Sequence, residues 1–121
     1  MGMRIREVAY RRNHKLIAAE LHGAIVGWLE IFLPLSVLNT GKAEIGALVV
    51  DSRCRRRGVG SALMSAARDW AQRKNAPLVY LRSNVKRHDA HQFYRKSGYD
   101  VYKTQSVFRL LLEPNKKRKQ R

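Results

Sequence analysis

The sequence predicts a mixed α+β domain in which a central, mostly antiparallel sheet is flanked by helices. Two observations predict this fold class. Residues 14–33 contain two short apolar runs about His22 and Gly23, which is typical of a β-hairpin. Between residues 42 and 83 the apolar spacing changes from that of a strand to that of a helix and back, which is typical of a β-α-β unit.

The elements follow in the order β-β-β-α-β-α-β. Residues 4–8 have room for only a short element before the hairpin, and Pro34 opens a loop over residues 34–41. Residues 42–51 form a third strand whose many apolar residues predict burial on both faces. The next apolar residues are spaced by four, three and four, the period of one helical stripe: Val59, Leu63, Ala66 and Trp70.

Pro77 disfavours helix in the residue before it, so this helix is expected to end near residues 75–77. Residues 78–83 form a fourth strand. Asp89 is predicted to cap a second helix over residues 89–97, which ends at Gly98. Residues 99–112 alternate like a final strand, or two. Trp28 and Trp70 are expected in the core.

The charge is strongly positive, with 25 Lys and Arg against nine Asp and Glu, a net +16. The final "KKRKQR" holds five of these charges, and 16 less 5 still leaves +11. Such an excess favours polyanionic partners, namely nucleic acid, an anionic membrane surface or a phosphorylated cofactor. We therefore expect one domain over residues 1–113 and a basic disordered tail over 114–121, through which nucleic acid could associate.

Several classes of protein are disfavoured. No apolar run approaches the ~20 residues that span a bilayer, and the N-terminus is too charged for a secretory signal. The single cysteine, Cys54, allows no internal disulfide, lacks a histidine fixed beside it and fits a reducing compartment. His88 and His91 have no second pair of ligands, so no metal site is expected. We expect a soluble, cytoplasmic protein.

The segment "DSRCRRRGVG" combines four arginines with two glycines just before a helix. The first N–H groups of a helix have no internal partners, and the helix dipole places about half a positive charge there. Gly58 and Gly60 let an anion approach the main chain, so the segment predicts a phosphate site. A P-loop would need Gly-Lys-Ser/Thr, and a dinucleotide-binding motif would need glycine where Leu63 stands.

"ALVVDSRCRRRGVGSAL" resembles the acyl-CoA-binding segment of the GCN5-related N-acetyltransferases, Gln/Arg-x-x-Gly-x-Gly/Ala between a strand and a helix. "SNVKRHDAHQFYRKSGYD" is similar to the final motif of that family, an Asn loop followed by Ala-x-x-Phe-Tyr-x-x-x-Gly-Phe/Tyr. The matching residues are Asn84, Ala90, Phe93, Tyr94, Gly98 and Tyr99. The resemblance extends over residues 14–112.

The resemblance implies acetyl-CoA as cofactor and direct transfer of its acetyl group to an amine acceptor, either a small molecule or a protein. Backbone groups of Leu48 and Val50 would pair with pantetheine, and Asn84 would bond the pantetheine arm. Tyr94 would protonate the departing thiolate, which a phenol of pKa about 10 suits. The pyrophosphate would lie against one run of residues: Arg55, Arg56, Arg57, Gly58, Val59, Gly60 and Ser61.

The attacking amine must be neutral, so a carboxylate base is expected on the central strands. Glu44 is the first candidate because its strand leads into the cofactor loop, and Glu30 is the second. Glu44 as an ordinary strand carboxylate and Tyr94 as a core aromatic remain the simpler alternatives.

Family members usually have a strand and one or two helices before the hairpin, whereas only about 13 residues precede it here. This shortened N-terminal region predicts an acceptor site that is open, completed by another chain or lost. It also predicts a homodimer that covers apolar sheet surface. Two other functions remain open, a basic nucleic-acid-binding module and a catalytically degenerate protein that binds coenzyme A.

Overall fold

A computed structural model describes residues 2–36, 40–83 and 86–114 of the chain. Five strands form one sheet in the order β1-β2-β3-β4-β5, antiparallel except for the parallel pair β4–β5. The strands are β1 (Met3–Arg11), β2 (His14–Leu21), β3 (Ala24–Phe32), β4 (Ala43–Val50) and β5 (Val79–Leu81). The helices are α1 (Val59–Arg73) and α2 (His88–Lys96), and a 3-10 turn spans Ser52–Cys54. The predicted fold class is confirmed.

The hairpin between β2 and β3 is confirmed at the predicted turn. His22 and Gly23 have φ of 52° and 81°. A tight hairpin turn of type I′ needs positive φ at both central residues, which glycine adopts without strain.

The N-terminal element is longer than predicted. β1 has nine residues, pairs with β2 from Met3↔Leu21 to Arg11↔His14, and shifts register between Glu7 and Ala9. The sequence signal for this strand is an alternation: Met3 and Ile5 pack against the core, while Arg4 and Arg6, which alternate with them, are exposed.

Helix α1 covers one face of the sheet and forms the core with it. Its predicted apolar stripe is confirmed, since Val59, Leu63 and Trp70 are buried and Ala66 is half-buried. The helix lies close to β3 at Gly27, where a Cβ would lie 2.9 Å from Cγ1 of Val59 and 3.0 Å from Cδ1 of Leu63. This glycine lets the start of α1 lie directly on the sheet.

The end of α1 is set by residue 75 rather than by Pro77. The helix stops at Arg73, Lys74 is its C-cap, and Asn75 has a left-handed φ of 59°. The side-chain amide of asparagine makes this conformation more accessible than it is to most residues.

Strand β4 contains a β-bulge, and its second half is more exposed than its first. Ile31 pairs with Ile45 and Leu29 with Leu48, so β4 has one more residue than β3 across this interval, a β-bulge around Gly46. The prediction of burial on both faces is wrong for the second half, where Val49 is 60% exposed. On the side away from α1, the structure describes no helix over this residue, and Trp28, also predicted to be core, is 40% exposed there.

Helix α2 begins differently from the prediction. Arg87 is the N-cap without a side-chain bond, and Asp89 lies inside the first turn. There the carboxylate interacts with the helix dipole rather than capping the main chain. The C-terminus is as predicted, with Gly98 at φ 94°.

Residues 99–112 were predicted to form a final strand, and that prediction is wrong for the chain as described. The segment pairs with no strand in the described residues, and its apolar side chains are mostly exposed, Phe108 by 91% and Leu110 by 83%. The alternation is that of a strand, but a strand needs a partner to pair with. The basic tail, except for Pro114, lies outside the described residues.

The turn between β4 and α1 is closed by Asp51 and Arg53. The Asp51 carboxylate accepts from the backbone N–H of Arg53 at 2.9 Å and from its guanidinium at 2.9 and 3.2 Å. These hydrogen bonds lower the pKa of Asp51 from 3.8 to about 2.

We predict that Gly27→Ala destabilises the fold by about 1–3 kcal/mol, because the added methyl group would overlap Val59 and Leu63. Denaturant unfolding followed by circular dichroism measures the change. Gly2→Ala is the matched control, since its Cβ would meet nothing within 4 Å. Equal stability of the two variants would contradict the close packing of α1 on β3.

We predict that the Asp51 carboxyl titrates with a midpoint near pH 2 in the native protein. Because its folded pKa is depressed, the stabilisation from this turn is complete above about pH 3.8 and is lost as the pH falls toward 2. Arg53→Ala should move the midpoint up toward 3.8, since the guanidinium bonds are removed and the backbone bond stays. Carboxyl-detected NMR titration measures both midpoints, and an unchanged midpoint in the variant would refute this assignment.

Candidate functional site

The arginine loop follows the end of β4. Arg55, Arg56 and Arg57 are exposed, and the loop turns back through two left-handed residues, Arg56 at φ 67° and Gly58 at φ 79°. The three guanidinium groups are therefore exposed to solvent around the turn that leads into α1.

The N-terminus of α1 opens onto this loop without a side-chain cap. Gly58 is the N-cap, and the first helical bond runs from the N–H of Ala62 to its carbonyl at 3.0 Å. The N–H groups of Val59, Gly60 and Ser61 precede that bond, so they have no carbonyl one turn back. A Cβ at Gly58 would meet nothing within 4 Å, which leaves the approach to these amides open. This geometry fits a phosphate.

A gap opens beside the second half of β4. β5 pairs with β4 only from Ala43↔Val79 to Ile45↔Leu81. Asp51 donates its N–H to the carbonyl of Val26 at 2.8 Å, so its peptide group points toward β3. Because peptide groups alternate sides along a strand, those of Leu48 and Val50 point away from β3, into the gap.

Helix α2 packs at the same end of the sheet. A Cβ at Gly60 would lie 3.1 Å from the Phe93 ring and 3.9 Å from Val50, so α2, the first turn of α1 and the end of β4 meet there. The ring of Tyr94 lies 5.5 Å from that of Phe93 and 6.5 Å from that of Tyr99. Burial raises the pKa of Tyr99. Asn84 lies outside the described residues.

The two candidate bases lie on the sheet face away from α1. Glu44 accepts a hydrogen bond from the Tyr80 hydroxyl at 2.9 Å and another from the guanidinium of Arg82. The carboxylate raises the pKa of Arg82 by its charge and its hydrogen bond. Both oxygens of Glu44 are therefore engaged by side chains of β5 and the residue after it.

Glu30 has a different environment. Its Oε2 lies 2.8 Å from Nε2 of His14, and its Oε1 lies 2.5 Å from the position that a Cβ of Gly46 would occupy. The carboxylate thus extends over the bulge of β4. Sequence reasoning missed His14, and the only signal was its position at the first residue of the predicted hairpin.

A separate basic pocket of about 280 Å³ lies at the C-terminal end of α1. Its lining residues are Glu7, Arg11, Arg12, Lys15, Trp70, Arg73 and Lys74. Glu7 bonds Lys15 at 3.2 Å and Arg73 at 2.7 Å. Burial raises the pKa of Glu7, but these two cations lower it by more. The pocket and the arginine loop are at opposite ends of α1.

The structure therefore brings together three predicted parts, the arginine loop, the open side of β4 and the helix that bears Tyr94. Glu44 and Glu30 lie on the other face of the sheet, nearer the Phe32 end of β3. Among the described residues, no three His, Cys, Asp or Glu side chains are grouped to hold a metal ion. In the same part of the chain, neither helix has the length and apolar character that crossing a membrane requires.

The chain is similar to several known proteins. It is 35% identical over 79 residues to an aminoalkylphosphonate N-acetyltransferase of Salmonella typhimurium, a match over 64% of this chain and 51% of the relative. It is 40% identical over 58 residues to an uncharacterised N-acetyltransferase of Bacillus subtilis, YhdJ, over 47% of this chain and 41% of the relative. The chain thus spans about half the length of the curated relatives it matches.

A similar fold occurs in solved structures of low identity. A complex of AAC(6')-Iy with a bisubstrate analogue, CoA-S-monomethyl-acetylneamine, has a TM-score of 0.83 at 12% identity over 93% of this chain and all of the other. Residues 3–99 match the family model described as Acetyltransferase (GNAT) family. The chain therefore belongs to the GNAT family of acetyltransferases.

Proposed function

We propose that this protein is an N-acetyltransferase that moves the acetyl group of acetyl-CoA directly to an amine. The observation that supports it most is the junction of β4, the arginine loop and the uncapped N-terminus of α1. A diphosphate bound there would meet main-chain amides, a positive helix end and exposed guanidinium groups at once.

The donor fits the residues around that junction. The amides from Arg55 to Ser61 would hold the pyrophosphate, and the arginine side chains would screen it. The peptide groups of Leu48 and Val50 point into the gap beside β4, where an extended pantetheine arm could pair with them as a strand does. Asn84 would bond the same arm.

The reaction needs one proton donor and one proton acceptor from the protein. Acetyl-CoA supplies an activated acyl group, and the amine forms the C–N bond as the C–S bond breaks. Tyr94 would donate its phenolic proton to the departing thiolate. It belongs to the helix whose Phe93 contacts the first turn of α1, and this contact supports the assignment.

We assign the base to Glu30 in preference to Glu44. Both oxygens of Glu44 accept hydrogen bonds from Tyr80 and Arg82, which hold that carboxylate in place. Glu30 has one oxygen on His14, and its other oxygen lies over the β4 bulge. The His14 imidazole is 41% exposed, so a proton taken up by Glu30 could pass through it to solvent.

The acceptor we propose is an amine that bears or neighbours an anionic group. One relative is named for aminoalkylphosphonates, which combine an amine with an anion. With 25 basic and nine acidic residues, such an acceptor fits this chain better than a polycation does. We place the protein in the cytoplasm, since its one cysteine suits a reducing compartment.

A second candidate function is the binding of a polyanion such as nucleic acid. The basic pocket at the far end of α1 has five cationic side chains and one carboxylate. Its position is separate from the proposed donor site, so the two functions can be tested apart.

We predict that coenzyme A stabilises the protein and pantetheine, its analogue without phosphates, does so far less. At 100 times Kd, coenzyme A should add about 2.7 kcal/mol, measured as a thermal shift. Tyr94→Phe should keep this shift while thiol release in an acetyl-CoA assay falls by about 100-fold or more. Tyr102→Phe is the control for loss of a phenol.

Equal shifts by coenzyme A and pantetheine would refute the phosphate site. Binding of coenzyme A without turnover on any amine would instead indicate a degenerate family member. A protein that binds polyanions in general would instead bind nucleic acid, and its affinity for nucleic acid would fall steeply as the salt concentration rises.

We predict that Glu30→Gln lowers kcat, because the acceptor amine loses its base. Glu44→Gln should leave kcat nearly unchanged and mainly lower stability, since Tyr80 and Arg82 lose a charged partner. Steady-state rates with saturating donor, together with denaturant unfolding of both variants, separate the two carboxylates. The reverse pattern would assign the base to Glu44.

A further inference from the structure

The C-terminal segment of the described chain, residues 101–112, forms neither a helix nor a paired strand, and it is exposed although it is rich in large apolar side chains. The exposed fraction ranges from 56% to 92% for seven of them: Val101, Tyr102, Val107, Phe108, Leu110, Leu111 and Leu112. An apolar patch of this size on a soluble domain marks a surface that another surface covers.

The composition of this segment suits a strand buried inside a sheet. From residue 107 its sequence is VFRLLL, in which Phe108, Leu110 and Leu112 share one face and Val107 and Leu111 the other. Only Arg109 interrupts this pattern. Twelve extended residues span about 40 Å, enough to leave one copy and run along the sheet of another.

The sheet has a free edge for such a strand. β5 is the last strand in the sheet order, and no described strand lies beyond it. The N–H of Ala43 bonds the carbonyl of Leu78 at 3.0 Å, so the peptide groups of Leu78 and Tyr80 serve β4. By alternation, Val79 and Leu81 direct their N–H and C=O groups outward, to that free edge.

The start of the segment is anchored. Tyr99 packs against the core and donates its N–H to the carbonyl of Tyr94 at 3.0 Å. Beyond it, the described residues 101–114 are all exposed and none is placed against the edge of β5. The segment therefore leaves the body of its own copy at a fixed point.

We propose that two copies of this chain exchange residues 101–112, each segment pairing along the free edge of β5 in the other copy. The exchange uses the same two surfaces twice, as a two-fold dimer requires, and buries apolar residues that one copy leaves in water. Aromatic side chains bury about 150–250 Å² each, so the four from two segments provide roughly 600–1,000 Å². With the leucines and valines, the total reaches the ~1,600 Å² of a stable interface.

Light scattering tests the proposal on the full chain. We expect the wild type to have twice the mass of one chain at 100 µM. Phe108→Glu should dimerise at least 100-fold more weakly and keep its circular dichroism spectrum, since Phe108 is 91% exposed in its own copy. Gln105→Glu, which adds the same charge to the same segment, should remain dimeric. A monomeric wild type, or a Phe108→Glu variant that dimerises normally, would overturn the proposal.

Hydrogen exchange then locates the contact. The amides of Val79 and Leu81 should be protected at high protein concentration and lose protection on dilution and in Phe108→Glu. Protection that does not change with concentration would mean that the segment folds onto its own copy. A dimer without protection at these amides would place the interface elsewhere, and either result would refute the exchange. None of these measurements depends on acetyl transfer.

Discussion

The close contact between α1 and β3 at Gly27 is the constraint on which the rest of the structure depends. Val59 and Leu63, in the first two turns of α1, lie against the one position of β3 that has no side chain. The first turn is therefore fixed to the sheet at the end of β4, and the loop between them must turn back within eight residues. The orientation of the helix amides is therefore a consequence of core packing.

The same geometry separates two kinds of positive charge. The helix end is fixed by the core and offers oriented amides, whereas the arginines of the loop are exposed at the ends of long side chains. Oriented amides select a compact anion by shape, and exposed guanidinium groups attract it from a distance. A net charge of +16 strengthens the long-range attraction for any polyanion. Discrimination among anions therefore has to come from the oriented amides.

Most of the fold could be predicted from the sequence, because its elements have clear local patterns. The hairpin at His22 and Gly23, the stripe of α1 and the end of α2 at Gly98 depend on residues close together in the chain. The anion loop could be predicted for the same reason. The predictions that failed depend on contacts distant in sequence. Among the described residues, no helix covers Val49 on the face away from α1, and no strand pairs with the segment after Tyr99. The hydrogen bonds that Glu44 accepts come from Tyr80 and Arg82, which lie 36 and 38 residues farther along the chain, so no local pattern records them.

The bulge in β4 determines which atoms the second half of that strand presents on each side. With the extra residue at Gly46, Leu48 and Val50 share the face of Leu29 and Gly27 beneath α1, and Val49 points to the other side. Removing one residue there would invert this arrangement for everything that follows. The Val49 side chain would then point towards α1. The peptide groups of Leu48 and Val50, which point into the gap, would face β3 instead. The extra residue at Gly46 thus determines which side of the sheet each later residue of β4 faces. It determines the same for Asp51, the first residue of the loop.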